Sequence, residues 1–378
     1  RLFLVLSTTY LLNLSQRVFR ELDPIIMVVA VQYRRPSLNK NVMVQIYGID
    51  LGMSSFDVSF LSESGSVRHL SGVKNTVHGI SKFLLSLPSS AVLCAEHTGV
   101  YGDLLLRLCT LNRTCLCFVP GYQIKHSLGL QRGKSDPLDA CRIREYAERF
   151  YDLLRPCFYP GEEMSELQEL YRTRSLLVES RKRLDTLNIG DNCKSSVSLA
   201  ADHARRAVLA ELNTQISGLD HEIEALIQNS SEFSRNYQIL TSIVGVGPVT
   251  SCELIIKTEN FRKLDTAKKC AAYAGIAPYP KESGKMKCGH KISPMGDKQL
   301  KTLLFLCARS AKEHNKEIRL YFLKKHKVEK KHFFVAMNNI ANKLLRLIYS
   351  LIQKQQTYDR DYIQRDPRCV VISDTNKC

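Results

Sequence analysis

The chain has 378 residues, with 54 Lys+Arg against 37 Asp+Glu and a formal net charge of +17. A content of 44% hydrophobic and 24% charged residues excludes a mostly disordered chain, and Gly 19 with Pro 12 excludes a collagen-like one. So large a positive surplus points to an anionic partner, either nucleic acid or an anionic membrane surface. At the N-terminus, two apolar runs at 2–6 and 24–31 are interrupted by Arg17, Arg20 and Glu21. Both are far shorter than the roughly 20 residues that cross a bilayer, and no signal-cleavage pattern follows. Residues 1–42 therefore read as an upstream extension outside the fold, with no membrane partner. The rest reads as a soluble, cytoplasmic chain.

From Met43 the pattern is strand-rich. Runs at 44–49, 56–61 (Phe56, Val58 and Phe60 on one face) and 66–70 predict an antiparallel meander. A helix over 76–87 follows, with Val77, Ile80, Phe83, Leu84 and Leu87 at helical spacing. Next come a strand at 91–95, a helix at 102–111, a strand at 114–119 and a helix near 121–130. A meander followed by strand–helix alternation predicts an α/β domain over 43–158 with the mixed sheet of the ribonuclease H-like fold.

Pro156 and Pro160-Gly161 mark a boundary. Beyond it Leu209, Leu212, Ile216, Leu219, Ile223 and Leu226 form an a/d seam, and Leu170, Leu177 and Leu184 a weaker seven-residue one. With a Gly/Asn/Ser-rich turn at 188–198 between them, these predict a coiled-coil arm over 159–235. An ordinary helical hairpin packed on its own domain is the competing reading. A mainly α unit over 236–352 comes next, then a polar tail, 353–378. Residues 281–346 hold 17 Lys+Arg and 5 Asp+Glu, so +12 of the +17 falls there.

Asp50 ends the first strand in Gly48-Ile-Asp-Leu-Gly52, where a strand-end turn residue is the plainer reading. Glu96 closes the apolar run 91–95, at the carboxyl end of a central strand, where ligands collect in open α/β sheets. In Lys134-Ser-Asp-Pro-Leu-Asp-Ala140, Asp136 before Pro137 looks like a helix cap, which leaves Asp139 on the same face unexplained. Four gathered carboxylates repel unless divalent cations neutralise them, and Mg²⁺ takes such oxygens as ligands. In the C-terminal unit, Gly245-x-Gly247 between two helical patterns predicts a helix–hairpin–helix whose backbone approaches a nucleic-acid phosphate, or else a simple tight turn. Ser283 lies in a Gly/Pro/Lys loop, Tyr279-Pro-Lys-Glu-Ser-Gly-Lys-Met-Lys287, that leads into Lys291. It could attack a phosphodiester, with Lys281, Lys285 and Lys287 offsetting the charge. The thirteen cysteines include no CxxC pair, and Cys115-x-Cys117 and Cys288-x-His290 lack a second ligand pair. They read as buried free thiols.

Taken in order, these blocks resemble the DEDD transposases of insertion sequences, the IS one-ten and pilin-gene-invertase class. Gly48-Ile-Asp-Leu, Glu96-His-Thr-Gly-Val-Tyr and Lys134-Ser-Asp-Pro-Leu-Asp-Ala look like that family's acidic blocks, and Tyr273-Ala-Gly-Ile-Ala-Pro-Tyr with Glu282-Ser-Gly like its C-terminal block. A later block departs from the family pattern, with Pro294 in place of a basic residue and Asp297 in place of an amide. The resemblance implies a RuvC-like nuclease domain, a coiled-coil arm and a transposase domain. It places Asp50, Glu96, Asp136 and Asp139 on the Mg²⁺-binding tetrad and Ser283 on a serine that forms a covalent DNA intermediate. It further implies donor and target DNA chosen through a non-coding bridge RNA, and assembly as a dimer or tetramer through the arm. Two alternatives remain open at this point: a structure-specific Mg²⁺-dependent nuclease using water, and a non-enzymatic basic nucleic-acid-binding protein.

Overall fold

A computed structural model describes residues 44–127, 129, 135–191, 198–283, 286–292 and 295–359. The extension 1–42 and the tail from 360 onward lie outside them. The chain divides into two compact units between Gly161 and Glu162.

The first unit opens with β1 (Gln45–Leu51), β2 (Ser55–Leu61) and β3 (Val67–Lys74), each antiparallel to the one before. Next is α1 (Val77–Leu85), whose N-cap Thr76 accepts the Gly79 N–H at 3.2 Å. Then come β4 (Ala91–Glu96), α2 (Asp103–Leu111), β5 (Cys115–Val119), α3 (Gly121–Ser127) and α4 (Asp136–Arg149). The sheet order is β3-β2-β1-β4-β5, with β1, β4 and β5 parallel. This mixed five-stranded sheet is consistent with the ribonuclease H-like fold.

Residues of β4 are apolar without alternation because both sheet faces are covered, as a central parallel strand requires. Leu93 and Ala95 pack with Ile80 of α1 and Leu105 of α2, whereas Val92 and Cys94 pack with Ile143 and Tyr146 of α4. Polar β3 is exposed along nearly its whole length and forms an edge.

The second unit begins with two long helices, α5 (Glu162–Asp191) and α6 (Leu199–Asn229). Arg174 pairs with Asp220, and Arg181 Nη1 donates to Asn213 Oδ1 at 3.0 Å, so residue numbers fall on one helix as they rise on the other. The helices are antiparallel. All six residues of the α6 seam are buried or half-buried. At the base, Met164, Leu167, Tyr171, Ile223 and Ile227 enter one core with α7 (Ser234–Ser242), α8 (Pro248–Thr258), α9 (Ala267–Tyr273), α10 (Lys298–His314), α11 (Lys316–Leu323) and α12 (Phe333–Lys354). The stretches read as an arm, 159–235, and a domain, 236–352, thus share a hydrophobic core. Along α12, Ile340, Leu344, Leu345 and Ile348 are fully buried and supply its centre.

The expected loop around Ser283 is instead a two-stranded hairpin, β6 (Pro278–Ser283) and β7 (Met286–Ile292). In β7 Met286, Cys288 and Ile292 alternate with Lys287 and Lys291, but Pro278, Pro280 and the charged residues of β6 break the pattern in its partner, so only the pairing itself reveals the hairpin. Between α7 and α8, Gly245 takes a φ of +97°, and a Cβ there would stand 2.7 Å from the Ala311 backbone nitrogen. Gly245 is therefore required for packing against α10. Gly247, the residue before α8, is exposed with open space around it.

Candidate active site

Asp50 lies on β1 between Ile49 and Leu51, which are buried in the core on the α1–α2 side of the sheet. Alternation turns Asp50 to the other face, together with Gly48 two residues earlier. A Cβ on Gly48 would fall 2.2 Å from the Ala140 carbonyl oxygen and 2.4 Å from the Arg144 nitrogen. The backbone of α4 thus rests directly on β1, an approach that only glycine permits. Two residues along a strand and one helical turn cover similar distances, so the first turn of α4 is delivered to the end of β1 that carries Asp50.

That first turn holds both predicted acids. The N-cap position belongs to Ser135, and Asp136 is the first helical residue, ahead of Pro137. The cap explanation for Asp136 therefore fails. Asp139 is drawn toward Arg142, whose Nη1 donates to its Oδ1 at 2.7 Å.

Glu96 is the last residue of β4. Because Ile49 pairs with Ala95 in parallel register, Asp50 and Glu96 both follow that pair at the carboxyl ends of adjacent strands. Gly121, the first residue of α3, closes over Glu96: a Cβ there would lie 2.0 Å from Oε1. Asp57 is directly opposite Asp50 in β2, and its Oδ1 accepts the Gly72 N–H at 2.8 Å.

These placements have an electrostatic consequence. Burial first, then the charges of Asp139, Asp136, Glu96 and Asp57, push the Asp50 carboxyl up to about 6. The other three predicted carboxylates all act on Asp50, and Asp57, not singled out by the sequence, is a fourth acid that does so. Its signal was present, since Phe56 and Val58 face the core and a short turn sets Asp57 against Asp50. Gly48 and Gly121 were likewise passed over as positioning residues.

A group of hard oxygen donors in which only Asp139 has an ion-pair partner among the described residues suits a divalent cation of the Mg²⁺ kind better than a soft one. The acids are gathered without being drawn into a closed shell: among the described residues no three Asp, Glu, His or Cys side chains already stand in a metal-ligating arrangement. The residues fit the cation by chemistry and charge.

Ser283 belongs to the second unit, where it ends β6 opposite Met286. Lys281 lies in β6, and Lys287 and Lys291 lie in β7, opposite Glu282 and Tyr279. Lys285 lies outside the described residues. No helix among the described residues is long and apolar enough to cross a membrane.

Comparison with known proteins gives two family matches in order, the first of which crosses the boundary at Gly161 and runs into α5. A DEDD transposase profile of the IS110 type matches residues 47–188, and that of the transposase IS116/IS110/IS902 family matches residues 237–323. The pilin gene-inverting protein of Moraxella bovis is 25% identical over 331 residues, spanning 83% of this chain and 97% of that protein. The transposase for insertion sequence element IS1111A of Coxiella burnetii is 23% identical over 344 residues, spanning 83% and 91%. A DEDD domain brings with it a general requirement for a divalent metal. With both domains present in order and relatives matched over nearly their whole length, the chain belongs to the IS110 family of DEDD transposases, enzymes that cut and join DNA.

Proposed function

We propose that this transposase exchanges DNA strands through a phosphoserine intermediate, with Asp50, Glu96, Asp136 and Asp139 as the carboxylates that hold Mg²⁺ and Ser283 as the nucleophile. When bound, the cation polarises the scissile phosphate and stabilises the leaving oxygen. Ser283 Oγ loses its proton and forms a bond to phosphorus, while the bond from phosphorus to one DNA oxygen breaks and that oxygen leaves as a hydroxyl. A hydroxyl of the partner strand then attacks the phosphoserine ester, restoring the serine and a new phosphodiester. Each step trades one phosphate ester for another, so the exchange needs no external energy source. Lys281, Lys285, Lys287 and Lys291 offset phosphate charge around the hairpin, and the exposed turn at Gly247 after Gly245 offers backbone N–H groups to a phosphate.

The observation that carries this reading is the half-buried Asp50 carboxyl, raised to about 6 by burial and by the other acids at one sheet end. A site with that excess of negative charge is built for a cation. Donor and target DNA are the substrates, and a bridge RNA selects them. Helices α5 and α6 act as a coiled-coil arm for homo-oligomerisation, a role supported by Leu176, Leu187, Leu199 and Val208, each at least half exposed.

The test is a search for a covalent protein–DNA adduct on a denaturing gel after incubation with donor DNA, RNA and Mg²⁺. The wild type should form it and Ser283→Ala should not, while still binding DNA. An adduct that survives Ser283→Ala removes the serine from its role. Cleavage without any adduct replaces this reading with a nuclease that uses water.

A further inference from the structure

The second unit exposes an aromatic and basic patch that the strand-exchange chemistry leaves unused, immediately beyond the family match that ends at residue 323. There α11 gives way to a π-helical turn, Lys324–Val328, and Lys330 takes a φ of +50° before α12 begins. Such turns break the regular helical ladder and occur frequently at functional sites. Residues 324–332 contain five lysines and one glutamate. Glu329 pairs with Lys325 at 2.7 Å and Lys331 at 3.0 Å, whereas Lys324, Lys327 and Lys330 are exposed and form no ion pair among the described residues.

Aromatic rings run through the same segment. His326 stacks on Phe322 with centroids 5.3 Å apart, and His332 stacks on Phe334 at 5.7 Å. Phe333 joins the two pairs edge-on, 5.8 Å from Phe322 and 5.5 Å from Phe334. Phe334 is nevertheless 63% exposed and Phe333 38%. The rings are thus held in place by one another while open to solvent, and ammonium groups surround them.

We propose that this patch binds single-stranded nucleic acid, with bases stacking on Phe334 and His332 and phosphates meeting Lys324, Lys327 and Lys330. Unpaired bases offer the flat faces that fixed rings require, which a duplex hides inside its own stack. Charge complementarity is supplied by the three unpaired lysines. An anionic membrane fits less well: it requires a long apolar helical stripe, and α12 turns to buried residues directly after Val335. The proposal rests on the nucleic-acid reading above but not on its catalytic assignments.

The test uses the full-length chain and labelled oligonucleotides of about a dozen nucleotides. The same unstructured sequence is offered as RNA, as DNA and as duplex, and binding is read by fluorescence anisotropy. Phe334→Ala should weaken single-strand binding by about tenfold and leave duplex binding within about twofold. Phe334→Leu should lose as much, because an aliphatic side chain fills space without stacking, and Phe334→Trp should restore it. Replacing Lys327 and Lys330 with Gln should lower the salt dependence of the same binding. The tighter of the RNA and DNA arms identifies the natural strand. The proposal is overturned if Phe334→Leu binds as the wild type does, or if the substitution affects capture by anionic vesicles and not by oligonucleotides. Because the Ser283 adduct is read separately, its failure and the failure of this surface are distinguishable.

Discussion

Asp50 in the first unit and Asp297 in the second are both partly buried acids beside a helix start, and they end in opposite states. Burial pushes the Asp297 carboxyl up, but the Leu300 N–H, the Lys257 ammonium and the Tyr273 hydroxyl together hold it below the usual carboxylate range. Its Oδ1 accepts from Leu300 at 2.8 Å as the N-cap of α10, and its Oδ2 lies 3.1 Å from Lys257 Nζ. Asp50 has burial without such compensation, and its charged neighbours are further acids. The contrast separates a carboxylate that the fold uses for itself from one that the fold leaves short of positive charge. Only the second has affinity to spare for a cation.

The largest effect expected from this contrast is on activity. Asp50→Asn should reduce Mg²⁺-dependent strand cleavage by at least about a hundredfold, measured on donor DNA, with an unchanged circular dichroism spectrum. Cleavage at the wild-type rate would mean that Asp50 is not a ligand.

Gly48→Ala tests how the acids are gathered. Its new methyl group would enter the backbone of α4, so the helix must move, at a cost of about 3 kcal/mol in chemical denaturation. Displacement of Asp136 and Asp139 should also lower the Asp50 pKa, as followed by carboxyl NMR. A variant of full stability would show that α4 does not rest on β1.

Asp297→Ala should destabilise the second unit by about 1–2 kcal/mol, through loss of the cap and of the Lys257 partner. Asp297→Asn keeps a capping oxygen and should lose less than half as much. Equal losses would show that the ion pair, not the cap, dominates.

The smallest effect is a gain. Asp50 has its pKa raised from 3.8 to about 6 on folding, so the folded state takes up its proton more readily. Its contribution to stability is complete below about pH 4 and is lost as pH rises through about 6. Metal-free Asp50→Asn should therefore be more stable than the wild type at pH 7, by about 1 kcal/mol once solvent screening is allowed for, and equal to it near pH 3. Mg²⁺ should reverse the order at pH 7 by stabilising only the wild type. A metal-free wild type that gains stability between pH 4 and 6 relative to Asp50→Asn contradicts the crowding of negative charge.

Much of this protein was determined by its sequence alone. The meander, the alternation after it, the α6 seam and the order of the acidic blocks are local patterns of period two, period 3.6 and spacing, which side-chain chemistry imposes wherever the chain ends up. The hairpin around Ser283 was not legible, because Pro278, Pro280 and the charged residues of β6 hide the partner that the alternating Met286, Cys288 and Ile292 of β7 pair with through the backbone. Nor were the residues that complete the acidic cluster: Asp57, Gly48 and Gly121 matter only because β2, α4 and α3 come within touching distance of Asp50, Gly48 and Glu96. Whether a carboxylate is a cap, an ion-pair partner or a cation site depends on the charges across a few ångströms of space. That neighbourhood is assembled by the tertiary structure from residues distant in the chain.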